Sequence, residues 1–581
     1  MRAVWRLAGL GLALGMLAGA GETARLVWLV PSNSVPWRLA VYAAAIDGAA
    51  AAAVLFLAAA GCAIAHRLRH RRPASTPEGG LPPRRAQAMS RRALLRLTAG
   101  SLAAVAVVGV GAAMRRRADG SNMALAAQSV PSGTNSRPPN FVLITVDTLR
   151  ADRLGSYGNG TVRTPALDAL AAGGARFLWH FIQEPQTNPS HASMFTGQYP
   201  SSSGIRVHMV DKVPARLETL AELLAAGGYQ TAGLYSWLSF DPQYCGLNRG
   251  FDVYRNTAPP PSSVMANPAI KGAMAQYRVA EQYLVLPQAL NQLVPLKSDV
   301  ESTAKGDAAR TTDAAIAQLR GFSASAPFFL WVHYFDPHYP YQPPASFAPL
   351  YSPNYSGPIN GSMAVVDEVQ TGKLQPRGAD LQRLIGLYES EITYMDGEIA
   401  RLLSAVDTLN HPSGTAIALT GDHGESFGEH ADLDEGGDYF HPHSLYNTEQ
   451  WVPLLLSWPG HVPAGSTVNA PTQAIDIFPT FLEMAGLRGS PQAQGASVLP
   501  LLDGRDDGAT HAAYGSMPDY VFTSVASGGW KLLRNNASGT QRLFNLIGDP
   551  AEQHDQLAAE PAVAAGLAAN LTSWMKAAHV S

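Results

Sequence analysis

Hydrophobic positions along this chain follow three regimes. The first 114 residues are dominated by long, unbroken apolar runs. From about residue 139, apolar runs of strand length alternate with longer segments in which apolar residues recur at helical spacing. Strands are predicted at Phe141–Val146, Phe328–Tyr334 and Ala416–Thr420, and helices at Leu217–Ala226, Ser302–Leu319, Ala379–Leu409 and Ile477–Ala485. Such alternation predicts an α/β fold with a mainly parallel central sheet and helices on both faces. From about Thr510 the runs shorten to strand candidates at Val521–Val525, Trp530–Leu533 and Arg542–Asn545, closed by a helix near Pro561–Ala578. Residues 255–300 carry little pattern and read as an insertion.

The front of the chain reads as a membrane region, residues 1–114. Leu97–Met114 is uncharged and about long enough to span a bilayer. Leu39–Ala65 is interrupted only by Asp47, and a third span is placed at about residues 4–20. Orientation follows from the loop 66–96. It carries Arg67, Arg69, Arg71, Arg72, Arg84, Arg85, Arg91, Arg92 and Arg96 against Glu78 alone, the excess that marks a cytoplasmic loop. Everything after Met114 is then expected outside the cytoplasm, on a multi-pass anchor in the inner cell membrane. Ser90-Arg91-Arg92 before an apolar run also resembles a twin-arginine export signal, which gives the same side. Residues 115–138 read as a linker. The apolar runs imply a lipid bilayer as partner; elsewhere composition is ordinary, and a net charge of −3 implies no nucleic acid. Cys62 and Cys245 lie in different regions and sit in no CxxC pattern, so both read as structural.

The chemistry collects at the ends of the three strand candidates. Phe141–Val146 runs into Asp147, Phe328–Tyr334 into Asp336-Pro337-His338, and Ala416–Thr420 into Gly421-Asp422-His423. In an open α/β sheet, ligands bind beyond the carboxyl ends of the strands. Carboxylate, imidazole and hydroxyl groups gathered there would hold a metal ion able to activate a nucleophile. An Asp after a strand is ordinarily a turn former, and a Thr-x-Pro is ordinarily a helix cap. Their convergence in one chain argues for a site. Thr187, two residues before Pro189, suits a first helical turn whose free N–H groups face an anion.

At these residues the chain resembles the sulfatase family of the alkaline phosphatase superfamily. The resemblance runs from about 139 to 579. It is carried by Pro139-Asn140-Phe141 through Asp147 to Asp152, Thr164 to Asp168, Thr187-Asn188-Pro189-Ser190-His191 with Thr196-Gly197, and PFFLWVHYFDPHYP (Pro327–Pro340). TGDHGESFGEH (Thr420–His430), Ser444-Leu445-Tyr446 with Val452-Pro453-Leu454, DIFPTFLEMAG (Asp476–Gly486) and LFNLIGDPAE (Leu543–Glu552) complete it. It implies an alkaline phosphatase-like catalytic domain over 139–509 and a small C-terminal α+β subdomain over 510–581. It implies a nucleophile at Thr187 and one divalent metal on Asp147, Asp422, His423 and Thr187, with calcium, magnesium, manganese and zinc all open. His338 matches a position that contacts the ester oxygens or leaving group. His443 or His441 matches the group acting on the leaving group, while His180, His208, His333 and His430 read as structural.

Three departures from the family pattern bear on mechanism. Relatives that use formylglycine make it from Cys or Ser, so Thr187 predicts no formylglycine. His191, counted by its position with the catalytic candidates, replaces the family Arg, and Thr148 stands where many sulfatases have a second metal-binding Asp. One acidic ligand, a Thr and then Asp-His looks more like the membrane phosphoglycerol and phosphoethanolamine transferases of the superfamily. The expectation is therefore a metal-dependent hydrolase of a sulfate or phosphate ester. A transferase to lipid or glycan, and a binding protein that has kept the fold without its chemistry, are the alternatives. Intact Asp147, Asp422 and His423 argue against the last.

Overall fold

The computed structural model describes residues 138–258, 307–409, 411, 414–430, 439–440 and 444–580. The predicted spans, the basic loop, all but the end of the linker, most of the insertion, Cys62, His441 and His443 lie outside the described residues. Among the described residues no helix is long and apolar enough to cross a membrane.

In chain order the strands are β1 (Asn140–Val146), β2 (Ala175–Phe181), β3 (Gln230–Tyr235), β4 (Val253–Asn256), β5 (Phe328–Tyr334), β6 (Thr415–Gly421), β7 (Ser426–Phe427), β8 (Tyr439–Phe440), β9 (Trp451–Ser457), β10 (Ser466–Val468) and β11 (Thr472–Gln473). The main sheet runs β10-β2-β9-β6-β1-β5-β3-β4, with β11 beside β2, while β7 and β8 pair with each other. Its pairs are parallel except those of β9, which lies antiparallel between β2 and β6. The sheet is thus mixed and mainly parallel. The antiparallel strand was not legible in advance, because Val452–Leu456 is apolar throughout and a fully buried strand shows no alternation.

The longer helices are α1 (Pro165–Gly173), α2 (Thr187–Thr196), α3 (Leu220–Ala226), α4 (Ala308–Gly321), α5 (Ala379–Asp407), α6 (Ile477–Met484) and α7 (Pro561–Ala577). Alternate residues of each strand feed two cores. Val142, Ile144 and Val146 pack with Leu167 of α1, Leu319 of α4 and Leu387 of α5, whereas Phe141 and Leu143 pack with Phe195 of α2, Leu220 of α3 and Phe478 of α6. Helices therefore cover both faces, as the alternation predicted. Each fully buried aliphatic or aromatic side chain contributes about 1.5–3 kcal/mol, so the two cores fix the sheet firmly under the site. Helix starts are set by caps. Thr219 and Glu222 form a reciprocal capping box at α3, and the Asp307 carboxylate accepts the Ala309 N–H at α4.

Beyond residue 510, β12 (Ala513–Ser516), β13 (Phe522–Ser527), β14 (Trp530–Asn535) and β15 (Gln541–Asn545) form an antiparallel sheet, and Leu571 and Trp574 of α7 pack on Val525 and Leu532. Lys531 of this sheet is fully buried, 3.0 Å from Glu552 and donating to Asn447 Oδ1 at 2.8 Å, so the sheet is held against the turn before β9.

Candidate functional site

Register brings the candidate ligands together. Val146 of β1 stands between Tyr334 of β5 and Gly421 of β6. The Asp147 N–H donates to the Tyr334 carbonyl and the Asp422 N–H to the Val146 carbonyl, so both aspartates leave adjacent strands at the same level. Only glycine fits next to them: a Cβ on Gly421 would lie 2.5 Å from the Leu149 carbonyl oxygen, and one on Gly424 would fall on that of Thr448. After Asp147 the chain turns through Thr148 in the left-handed region (φ 55°), a strained place for a β-branched residue. That turn is pinned from both sides. The Thr148 N–H donates to Asp422 Oδ1 (3.1 Å) and Tyr388 Oη of α5 to the Thr148 carbonyl (2.7 Å).

Asp147, Asp422 and His423 are buried, and each offers a ligand atom within 4.8 Å of the others. His423 Nδ1 lies 2.9 Å from the Gly424 carbonyl, which only accepts, so Nδ1 carries a proton. In the neutral ring Nε2 then turns a lone pair toward Asp147 Oδ1 at 3.5 Å and Thr187 Oγ1 at 3.5 Å. Both separations are long for hydrogen bonds and suit donors sharing one cation. Asp147 Oδ1 and Oδ2 and Asp422 Oδ2 are buried without a hydrogen-bond partner, the state expected of carboxylate oxygens that serve a cation. The residues present fit the divalent metal that the sequence pattern implies.

Thr187 is the first residue of α2 and is buried; Gln186 is its N-cap and makes no side-chain cap bond. The Thr187 hydroxyl is therefore not spent on capping. His191, one turn on, is fully buried. Its Nδ1 donates to the Thr187 carbonyl (2.8 Å), and its Nε2 lies 3.0 Å from Thr145 Oγ1, which accepts the Trp331 Nε1 proton (2.9 Å). The chain of donors leaves the Thr145 hydroxyl proton for His191 Nε2. Burial pushes the His191 pKa down to about 3, against the pull of Asp422, so the ring is neutral. Where the family Arg would bring a charge, this chain has an uncharged group that holds the Thr187 backbone.

His338 is half-buried on the turn after β5, at the same sheet end, with Nδ1 donating to the Tyr339 carbonyl (2.6 Å) and its ring 4.6 Å from that of Phe335. Three further groups stand around the cluster. His333, read as structural from sequence, is fully buried on β5 with Nε2 3.6 Å from Asp147 Oδ2. The available signal was a histidine inside an apolar strand, one residue before its carboxyl end. Arg150 reaches Glu425 O (2.8 Å), Glu429 (2.6 Å) and Asp152 (2.8 Å), tying the turn after β1 to the loop after Asp422. Glu425 is buried and accepts from Tyr341 Oη (2.8 Å), and burial pushes its pKa up to about 8.

Burial also pushes Asp147 up to about 7, with His423 opposing the rise and Glu425 adding to it. The sign of the consequence is fixed. An acid whose folded pKa lies above its ordinary 3.8 loses stability as the pH rises toward about 7. A cation reverses this by displacing the proton. Metal affinity is therefore expected to fall by about tenfold per unit as the pH drops below 7. Competition titrations across that range check it, and a flat profile would remove Asp147 from the ligand set.

Comparison with known proteins agrees with the family resemblance and with the fold. The family model described as Sulfatase matches residues 139–487, and one described as N-sulphoglucosamine sulphohydrolase, C-terminal, matches 435–578. Steryl-sulfatase of Mus musculus is 29% identical over 433 residues, 67% of this chain and 68% of the relative. The ulvan-active sulfatase of Formosa agariphila is 24% identical, over 72% and 77% of the two chains. Among solved structures, one in complex with its substrate D-glucosamine-2-N,6-O-disulfate superposes with a TM-score of 0.59 at 19% identity, covering 76% of this chain and 98% of that one. The phosphonate monoester hydrolase of Agrobacterium radiobacter gives 0.55 at 23%, over 76% and 96%. These two likenesses carry the fold.

Proposed function

The chain belongs to the sulfatase family of ester hydrolases, and from that premise we propose a membrane-anchored enzyme, active outside the cytoplasm, that uses Thr187 as a metal-activated nucleophile on a sulfuric or phosphoric ester. The observation that carries this reading is the 3.5 Å separation of Thr187 Oγ1 and His423 Nε2 at the first turn of a buried helix, beside Asp147 and Asp422. Asp147, Asp422 and His423 would hold one divalent ion, and Thr187 would complete its shell. When bound, such an ion lowers the pKa of a coordinated hydroxyl and offsets charge on the ester oxygens.

The chain's own residues supply the rest. His191 fixes the Thr187 backbone, and α2 directs its N-terminal end at the tetrahedral anion. Thr187 Oγ1, its hydroxyl proton released to solvent, forms a bond to sulfur or phosphorus as the bond to the ester oxygen breaks, and that oxygen leaves with a proton from His443 or His441, as the family position suggests. His338 is placed by the same argument on the ester oxygens. Water then releases the group from Thr187. A threonine has no route to formylglycine, so release needs this second attack, which is easier at phosphorus than at sulfur. Relatives named for sulfate esters and a structural neighbour named for phosphonate monoesters keep both classes in view. Paired nitrophenyl sulfate and nitrophenyl phosphate, given to metal-loaded full-length protein, decide between them. Turnover of neither would count against the hydrolase, and transfer to an added alcohol without release to water would favour the transferase.

The location is tested separately. The nine arginines between the second and third predicted spans put Pro77 inside and Ser132 outside. A reporter fused after Ser132 is expected to be active outside the cytoplasm and one near Pro77 inside. A cytoplasmic signal from the Ser132 fusion would sink the external reading.

A further inference from the structure

We propose that Arg206, with Gln186 and Glu184, forms a subsite for a second anionic group on the substrate, a carboxylate, sulfate or phosphate borne by the part of the ester that leaves. The inference rests on the reading of Thr187 as the point of attack. Two loops meet beside the residues that precede Thr187. Gln186 Oε1 accepts the His208 N–H (2.9 Å) and Asn188 Oδ1 accepts the Met209 N–H (2.9 Å), so the segment that Arg206 begins is fixed alongside both neighbours of Thr187. From the other side, the Ser516 N–H at the end of β12 donates to the Gln183 carbonyl (2.9 Å), which brings the C-terminal sheet to the same place. Tyr520, on the turn between β12 and β13, stacks against the Arg206 guanidinium, 3.8 Å from Cζ to the ring centroid. Met209 and Tyr520 both hold left-handed backbone (φ 59° and 60°), a conformation that costs energy outside glycine and that clusters where a loop is shaped for a ligand.

What these loops leave over is a set of hydrogen-bond donors. Arg206 is half-buried, its Nε is buried without a hydrogen-bond partner, and among the described residues its guanidinium makes no hydrogen bond or salt bridge. Gln186 Nε2 is buried without a partner as well, and because Oε1 faces an N–H the amide cannot be turned over to relieve it. Glu184 is fully buried with both carboxyl oxygens unpartnered. Burial holds its pKa well above the ordinary 4.5, with Arg206 opposing the rise and Asp211 and Asp519 adding to it, so Glu184 stands as a neutral acid with an O–H to give. The two aspartates are engaged elsewhere. Asp211 Oδ2 accepts the Arg206 and Val207 N–H groups, and Asp519 Oδ1 accepts the Val521 N–H. Buried donors without acceptors are costly. A guanidinium fork, an amide N–H and an acid O–H together match an oxyanion, whereas a cation would leave all three unmet. Glu184 precedes Thr187 by three residues, at most about 11 Å of chain. A group held there belongs to the same small molecule as the ester, about one ring away from it.

The test gives metal-loaded full-length protein a set of nitrophenyl esters, sulfate or phosphate, whose ring carries a carboxylate, a sulfonate, a trimethylammonium group or none of these. The wild-type preference in kcat/KM for the carboxylate or sulfonate ester over the ammonium one should fall by about 10- to 100-fold in Arg206→Gln, the worth of hydrogen bonds to a charged group, and the loss should lie in KM. Comparing preferences between the two proteins cancels the effect of each ring group on reactivity. Arg206→Lys, which keeps the charge without the fork, should hold part of the preference. Whether the carboxylate or the sulfonate is favoured tells which kind of anion fills the subsite. Equal preferences in wild type and Arg206→Gln, or a fall in kcat for every ester alike, would overturn the subsite and leave ester hydrolysis at Thr187 standing. Turnover of no ester would count against the hydrolase instead, and calorimetric binding of the same esters to the two proteins then decides the subsite by the same ratio. If Arg206→Gln does not fold, the wild type decides: indifference to the ring charge would overturn the subsite.

Discussion

Thr187→Ala is expected to fold normally and to lose about three or more orders of magnitude in kcat. The fold should survive because the hydroxyl is not a cap: Gln186 holds that position, and alanine suits the first turn of α2 at least as well as threonine. The rate should not survive, because a covalent route then has no nucleophile. Thr187→Ser, which keeps the hydroxyl and removes a methyl from a buried position, should retain part of the activity. Rapid quenching of the wild-type enzyme should trap an adduct on the peptide containing Thr187, and its mass separates phosphate from sulfate. The peptide before turnover should carry unmodified threonine. Near wild-type rates in Thr187→Ala would end the covalent route and leave metal-bound water as the attacking group.

Much of this arrangement was legible in the sequence where chemistry interrupts hydrophobicity. Asp147 and Asp422 each end an apolar run, and their joining across neighbouring strands needed only a parallel β1–β6 pair. The fold class followed from alternation, since both faces of the sheet bury side chains against helices. The antiparallel course of β9 was not legible, because direction leaves no mark on a fully buried strand. His333 was missed for a related reason. On a strand with every residue buried, nothing in the spacing distinguishes a histidine facing core from one facing ligands. Arg150 was missed because its partners, Glu425 and Glu429, come together with it only through the turn that Thr148 makes in the left-handed region.

Asp422→Asn is expected to give a folded protein that has lost its metal and its activity. The choice of asparagine matters, because Asp422 does two things. Its Oδ1 receives the N–H groups of Thr148 and His423, which holds both turns in place, and the Asn carbonyl can keep those bonds. Its Oδ2, buried and without a hydrogen-bond partner, is the part that a cation needs, and the Asn amide puts donor protons there. Burial and the neighbouring Asp147 hold the Asp422 pKa above its ordinary value. The charge is thus costly in the fold, and removing it should leave thermal stability measured with chelator unchanged or raised. Metal affinity moves the other way. Even outer-shell changes weaken metal sites by about 10- to 100-fold, so loss of a direct carboxylate ligand should exceed about 100-fold. Elemental analysis and thermal melts with and without chelator read both effects. A folded Asp422→Asn protein with wild-type metal content would show that the carboxylate only braces the two turns and that the ligand assignment is wrong.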